Sequence, residues 1–384
     1  MIVYKGFRTR IYPTDEQIDY FNKCFDVTRF CYNWYLGRMD SNYQNNIYQP
    51  FIKIRNDFTQ IKHQLGNEWL MEVSGKVIEC ALNNAKFAYN LFFKNVSGHP
   101  VFKKKKENKR IFSCSRCYID STSDKMKKRL YLFDGFHFYI GGSANTHSAN
   151  GFFIKTAENI LFLKNKKISK VNITFDGSSY YAGFSYEEDI DCNYNGQFID
   201  VIGIDLGIKS FAVQSDGKVA KFPKKRIVKI EQRIKRLKSI LSKKEKGSNN
   251  YNKVKTKLSK CYKKIHNITW DFLHKYTTYL CLTYKTIKIE TLAIKNLIKN
   301  HRMAKAIIRN CFYNFRAMLE YKSKWYNCNL ILVDRFYPSS KNCYYCGNKK
   351  QELKLSDRIY HCNICGYEND RDLNAAYNLR EWIK

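Results

Sequence analysis

The chain has 384 residues, and 68 Lys and Arg stand against 34 Asp and Glu, a formal charge of +34. Apolar residues at 44% and aromatics at 16% exclude a wholly disordered chain and supply core for two or three domains. No apolar run approaches the ~18 residues of a membrane span, and Lys5, Arg8 and Arg10 break the first apolar stretch, unlike a signal peptide. So large a positive excess calls for a polyphosphate partner, DNA or RNA, held with release of counterions, rather than a membrane or a small-molecule substrate. Fourteen cysteines, ten of them scattered, indicate a reducing compartment with one metal site. A protein of a reducing, cytoplasmic compartment in contact with nucleic acid is therefore expected.

Residues 1–12 read as a strand that Pro13 stops. Thr14 is placed to cap a helix opening with Asp15, Glu16 and Gln17. Ile18, Phe21, Cys24, Phe25, Thr28, Cys31, Tyr32 and Tyr35 follow at helical spacing. Tyr32, Trp34 and Tyr35 are open to two readings, helix core or a stacking platform for bases. Further helices are expected near 50–65 and 73–94, ended by Gly98-His99-Pro100. Residues 103–110, KKKKENKR, hold six basic residues in eight: Lys103, Lys104, Lys105, Lys106, Lys109 and Arg110.

From about 110 to 190 the pattern turns to short strands, as in Leu130–Phe133, Lys170–Phe175 and Tyr180–Tyr186, with Asp176-Gly177 as a hairpin turn. Residues 141–151 read as a loop, and 187–191 with 193–196 as a linker. The first half is thus one β-domain with a helical insertion. A buried strand, Val201–Asp205, opens the second half, with Ser210–Gln214 as its hairpin partner. Residues 218–264 carry 19 Lys and Arg against 2 acids, so 19 − 2 = +17. Ile227, Ile230, Ile234, Leu237 and Leu241 give this tract a helical apolar stripe, and its basic face, with Lys224, Lys225, Arg226, Arg233 and Arg236, is expected to meet phosphates.

The strongest chemical signal is Cys343-x2-Cys346-x15-Cys362-x2-Cys365, each pair followed by glycine (Gly347, Gly366). Four soft thiolates with no open position suit one structural Zn²⁺. Cys114 and Cys117 form a second Cys-x2-Cys, for which His137 and His147 are the available partners. Asp205 and Glu290 end apolar strands, and Asp370-Arg371-Asp372 opens the last helix, Leu373–Ile383. Such a set of oxygen donors can hold two Mg²⁺ ions for attack on a phosphodiester.

These segments together resemble the TnpB family, transposon-encoded RNA-guided DNA nucleases with a RuvC domain, related to the miniature type V CRISPR effectors. The resemblance is carried by Gly203-Ile-Asp205-Leu-Gly207, Ile289-Glu290-Thr291-Leu292, Phe315–Leu319, Glu320-Tyr-Lys322, Tyr337-Pro-Ser-Ser340, the four cysteines and Asp370-Arg-Asp-Leu-Asn-Ala-Ala-Tyr-Asn378. Phe7-x-x-Arg10-Ile-Tyr-Pro13, Thr28-Arg29-Phe30, Tyr32-Asn-Trp34 and Gly98-His-Pro-Val-Phe-Lys103 extend it to the N-terminal half. Thr291 stands where many members carry Asp.

The resemblance implies an α/β RNase H-like (RuvC) nuclease domain at 197–340 and 367–384, with an inserted zinc ribbon or knuckle at 341–366. It also implies a β-barrel-like wedge domain at 1–12 and 105–192, with a helical recognition insertion at 13–104. Asp205, Glu290 and Asp372 would be the catalytic acids and the Mg²⁺ ligands, Asp372 being favoured over Asp370 because it immediately precedes Leu-Asn-Ala-Ala. The implied partners are a structured guide RNA and target double-stranded DNA cut beside a short flanking motif. A nuclease-inactive regulator, a guide-free RuvC-like nuclease and a CRISPR-associated effector are the alternatives, and the presence of all three acids argues against the first.

Overall fold

A computed structural model describes residues 1–105, 109–115, 129–132, 152–190, 199–293, 299, 301–353 and 357–383. The chain divides into two compact units, Ile2–Asp189, and Ile190–Lys384 together with Met1. Cys117, His137, His147, Lys106 and the expected loop 141–151 lie outside the described residues.

In the N-terminal unit, β1 (Ile2–Tyr12) is followed by α1 (Asp15–Gln44), α2 (Phe51–Lys62) and α3 (Gly75–Phe93). Then come β2 (Arg110–Cys114), β3 (Arg129–Leu132), β4 (Phe152–Thr156), β5 (Ile168–Phe175) and β6 (Tyr180–Asp189). Pro13 separates β1 from α1, and Thr14 and Gln17 close a reciprocal cap: each side chain takes the other's backbone N–H. The strands form one antiparallel sheet in the order β2-β5-β6-β1-β4-β3. The pairings among the described residues leave β2 and β3 at its two ends. Asp176 shapes the β5–β6 turn by accepting from the backbone N–H groups of Ser178 and Ser179, and Gly177 takes the left-handed conformation at φ 85°.

One expectation is corrected here. Glu187–Asp189 belongs to β6 rather than to a linker, because its backbone pairs with Ile2–Tyr4 of β1. Charge does not end a strand whose polar backbone groups already have a neighbour. Residues 191–198 lie outside the described residues. Phe21 and Phe25 of α1 pack on Phe112 of β2, with ring centroids 5.5 and 5.3 Å apart. Tyr32 and Tyr35 are buried and Trp34 packs edge-on against Phe58, so the helix-core reading of these aromatics holds.

The C-terminal unit begins with β7 (Ile199–Leu206), β8 (Ala212–Gln214) and β9 (Val219–Ala220), an antiparallel meander. Two long helices follow, α4 (Lys224–Ser242) and α5 (Asn249–Thr283), and then β10 (Tyr284–Glu290). After α6 (His301–Asn310), α7 (Phe312–Trp325) and β11 (Asn329–Val333), a small β12 (Ile359–His361) and β13 (Glu368–Asp370) ribbon leads into α8 (Arg371–Glu381). The main sheet runs β11-β10-β7-β8-β9, with β10 parallel to both β7 and β11. This mixed order, with a helical hairpin between the third and fourth strands, is RNase H-like. Ile234 and Leu237 of α4 meet Cys261 of α5 in a small separate core, while the far end of α5 packs into the main one through Leu273, Leu280 and Cys281.

Lys322 of α7 is 3% exposed and ties α7 to α5: its Nζ donates to the His274 carbonyl and to the hydroxyls of Thr277 and Thr278 at 2.7–2.8 Å. Burial pushes its pKa down from 10.5 to about 8. Between those values the unfolded chain binds more protons than the folded one, so this residue makes stability rise with pH across that window. Urea unfolding at several pH values within it is expected to show that rise in the wild type relative to Lys322→Met; equal slopes in the two proteins would contradict the assignment.

Candidate functional site

Three separate devices in the C-terminal unit set Glu290 and Asp372 each near enough to Asp205 for their charges to act on it. Asp205 lies near the end of β7 just after the buried residues Ile202 and Ile204. Ile289 of β10 pairs with Ile204, so parallel register sets Glu290 alongside Asp205. Asp372 is the second residue of α8, which packs on β7. That packing depends on Gly203: a Cβ there would fall on the Ala376 carbonyl oxygen and the Arg380 nitrogen, with the Arg380 Cα at 3.0 Å. Lys288 fastens the other end of α8, donating to the carbonyls of Arg380 and Trp382 at 2.7 Å.

Burial, then the charges of Glu290 and Asp372, push the Asp205 carboxyl well above its ordinary range, and Arg371 pulls the other way. Burial pushes Glu290 up to about 7, opposed by the Leu206 backbone N–H that donates to its carboxylate. Asp205 and Glu290 so placed resist ionisation unless a cation lies between them. All their donors are oxygen, which fits a hard divalent ion such as Mg²⁺. Asp370 plays a different part, because its Oδ1 accepts from the N–H groups of Asp372 and Leu373 at 2.9 and 3.1 Å and caps α8. A cleft of about 250 Å³ is lined by Asp372 and Asp370 together with Ser210, Lys209 and Arg358. Thr291 donates to the Val333 carbonyl at 2.8 Å and so braces β11 rather than the acids.

Cys343, Cys346, Cys362 and Cys365 place four sulfurs within 4.8 Å of one another, and among the described residues they are the group gathered that tightly. Cys343 Sγ is 3.6 Å from Cys365 Sγ, and Cys346 Sγ is 3.7 Å from Cys362 Sγ. A tetrahedron with metal–sulfur bonds of ~2.3 Å has edges of about 3.8 Å, so the thiols fit one Zn²⁺ in a closed site. Gly347 and Gly366 turn the two loops at φ 74° and 72°. The backbone N–H groups of Cys365 and Ile364 pull the Cys362 thiol down to about 6, which favours the thiolate.

Sequence reasoning missed the way this knuckle is tied to α8. Asn374 Nδ2 donates to the Asn342 carbonyl, and Asn378 Nδ2 donates to the carbonyls of Ser339 and Asn342, each at 2.8 Å. Tyr344 N–H donates back to Asn374 Oδ1 at 3.1 Å. The signal was present as the two asparagines of Leu373–Asn378, but a side chain bonding a carbonyl so far back along the chain has no local signature.

The basic residues distribute differently. Lys224, Lys225, Arg226, Arg233 and Arg236 are exposed along α4. Lys104, Lys105 and Lys109 are exposed in the N-terminal unit, with Lys103 and Arg110 half-buried.

Gly203→Ala should destabilise the protein by about 1–3 kcal/mol, as overpacking does, and displace α8; urea denaturation reads the first effect, and unchanged stability would contradict the close approach. Metal analysis should find one zinc per wild-type chain and none in Cys362→Ser, with a lower Tm for the variant; full zinc in the variant would contradict the four-thiol site.

Residues 195–301 match the family described as "Probable transposase", 312–379 that described as "Cas12f1-like, TNB domain", and 1–47 that described as "Helix-turn-helix domain". The last description departs from the local structure, which is one strand and one 30-residue helix. A "Putative RNA-guided DNA endonuclease" of Streptomyces pristinaespiralis is 30% identical over 98% of this chain and 89% of its own length. "Putative RNA-guided DNA endonuclease InsQ" of Escherichia coli K12 is 25% identical over 98% of this chain and 91% of its own. The solved structure titled "Cryo-EM structure of the Cas12f1-sgRNA-target DNA complex" shares the fold, with a TM-score of 0.59 at 12% identity, covering 99% of each chain. By the identity and the extent of these matches, the chain belongs to the TnpB family.

Proposed function

We propose that the protein is an RNA-guided DNA endonuclease encoded by a transposable element, which hydrolyses target DNA beside a short flanking motif. The observation that carries this reading is the convergence of Asp205, Glu290 and Asp372 from β7, β10 and α8. The names of the relatives supply the guided character and the DNA substrate.

In this reading the three acids hold two Mg²⁺ ions, which when bound activate water and neutralise charge on the scissile phosphate. The chain's own contribution is positional. Gly203, Lys288 and the Asp370 cap fix α8, so that Asp372 stands ready beside Asp205. Arg358 supplies positive charge at the cleft and Arg371 supplies it near Asp205, where a strand of DNA would bring negative charge. No side-chain nucleophile is required.

The guide RNA reads the target by base pairing, and the protein grips the backbone through the exposed lysines and arginines of α4 and of residues 103–110. Residues 1–12 and 105–192 act as a barrel-like wedge, residues 13–104 as the recognition insertion, and residues 341–366 as the zinc-bound brace of a nuclease domain formed by 197–340 and 367–384.

Purified protein with its copurified RNA and Mg²⁺ should cut DNA complementary to the guide. Asp205→Ala, Glu290→Ala and Asp372→Ala should each lower cleavage by ~10²-fold or more and leave RNA binding near the wild-type level. A cutting Asp205→Ala protein would refute the assignment of the acids; copurified RNA without a discrete species ending in a variable segment would refute guiding.

A further inference from the structure

We infer that the N-terminal unit carries a built pocket for a single backbone phosphate of a polynucleotide, formed by Thr28, Arg29, Lys105, Lys109 and Arg110. The inference rests on the reading of the chain as a polynucleotide-binding protein and adds a discrete site that the basic run by itself does not define.

The pocket begins with α1, whose register sets Thr28 and Arg29 beneath the basic segment. Asn33, on the same helix, pins that segment: its Oδ1 accepts from the Lys103 N–H at 2.8 Å and its Nδ2 donates to the Lys103 carbonyl at 3.0 Å. Lys103 Nζ sits 3.9 Å from the centroid of the Tyr32 ring. On the other side Arg110, at the start of β2, lays its guanidinium over Phe25 and Phe175, 4.9 and 5.1 Å from their centroids. Lys103 and Arg110 are therefore anchored, while Lys104, Lys105 and Lys109 reach out into solvent around them.

Between them is a cavity of about 70 Å³. A water occupies ~30 Å³, so the space admits a group the size of a phosphate but not a base or a sugar. The remainder of the ligand must lie outside it, as a chain would.

Two of the residues lining this cavity each carry a buried polar atom with no hydrogen-bond partner among the described residues. Thr28 is 4% exposed, and its Oγ1 makes no hydrogen bond among the described residues. A helical threonine can bond back to the carbonyl four residues earlier, and this one does not. Arg29 Nε is likewise buried and makes no hydrogen bond among the described residues. One donates an O–H and the other an N–H, a pair suited to the two non-bridging oxygens of a phosphodiester.

The electrostatics agree. Arg29, Lys103, Lys104, Lys105, Lys109 and Arg110 line the cavity, with Asp26 as the acid among the described lining residues. Asp26 lies 3.6 Å from Arg29 Nη2 and 3.7 Å from Lys105 Nζ, so one carboxylate faces six cations. An anion in the cavity relieves their mutual repulsion.

The test uses the full chain, a labelled single-stranded RNA of mixed sequence and a labelled DNA duplex of equal length, titrated over a salt series. Arg29→Gln and Lys109→Ala should each weaken binding roughly tenfold at low salt and reduce the slope of log K against log salt by about one unit. Thr28→Val should weaken it several-fold with little change of slope, since no charge is removed. An effect confined to RNA assigns the phosphate to RNA, and one confined to duplex assigns it to DNA. The exposed Lys109 keeps the test open should Arg29→Gln fail to fold. Wild-type affinity and slope for all three variants on both probes would overturn the pocket while leaving guided cleavage standing; a wild type that binds neither probe would overturn both readings.

Discussion

Two acidic side chains act on a third, Asp205, in a partly dry place, and much of the construction of the C-terminal unit bears on that. Like charges do not collect unaided: burial and proximity already drive Asp205 and Glu290 toward their neutral forms. The fold holds them against this tendency largely with parts that carry no charge. Parallel register sets Glu290 beside Asp205, a missing side chain at Gly203 lets α8 touch β7, and asparagine amides hold α8 to the knuckle. Charged groups that also position α8 are turned to its backbone: Lys288 donates to carbonyls at one end and Asp370 accepts N–H groups at the other.

Positive charge is managed differently in the two units. On α4 it is solvent-facing, above a narrow apolar seam shared with α5. In the N-terminal unit part of it is anchored by aromatic rings and by Asn33. The first arrangement suits adjustable contact with a long backbone. The second suits contact at a fixed point, because a side chain already held in place loses little entropy on binding.

Local chemistry made a good part of this legible in the sequence. Thr14 and Gln17 announce a cap because the capping groups are neighbours along the chain. The cysteine spacing announces a metal site because each Cys-x2-Cys turn is self-contained. Asp205 and Glu290 stand out because an acid at the end of an apolar strand is costly without a partner. What could not be read depends on contacts distant in sequence. Nothing near Glu187–Asp189 says that β1 will pair with it. The spacing of Gly203 from Asp205 does not say that the last helix of the chain will lie on it. Thr28 and Arg29 look like ordinary helix residues until Lys103, Lys104 and Lys105 and the start of β2 line a cavity with them.

The third acid comes after the knuckle in the chain, whereas the basic helices come before it. A ribosome that stalled while making residues 341–371 would release a product with α1, α4 and α5 complete but without Asp372. Under the proposed assignment such a fragment keeps the basic helices that would occupy a polynucleotide and lacks one of the acids that would sever it. Incomplete synthesis would thus yield a competitor of the enzyme rather than an unregulated blade.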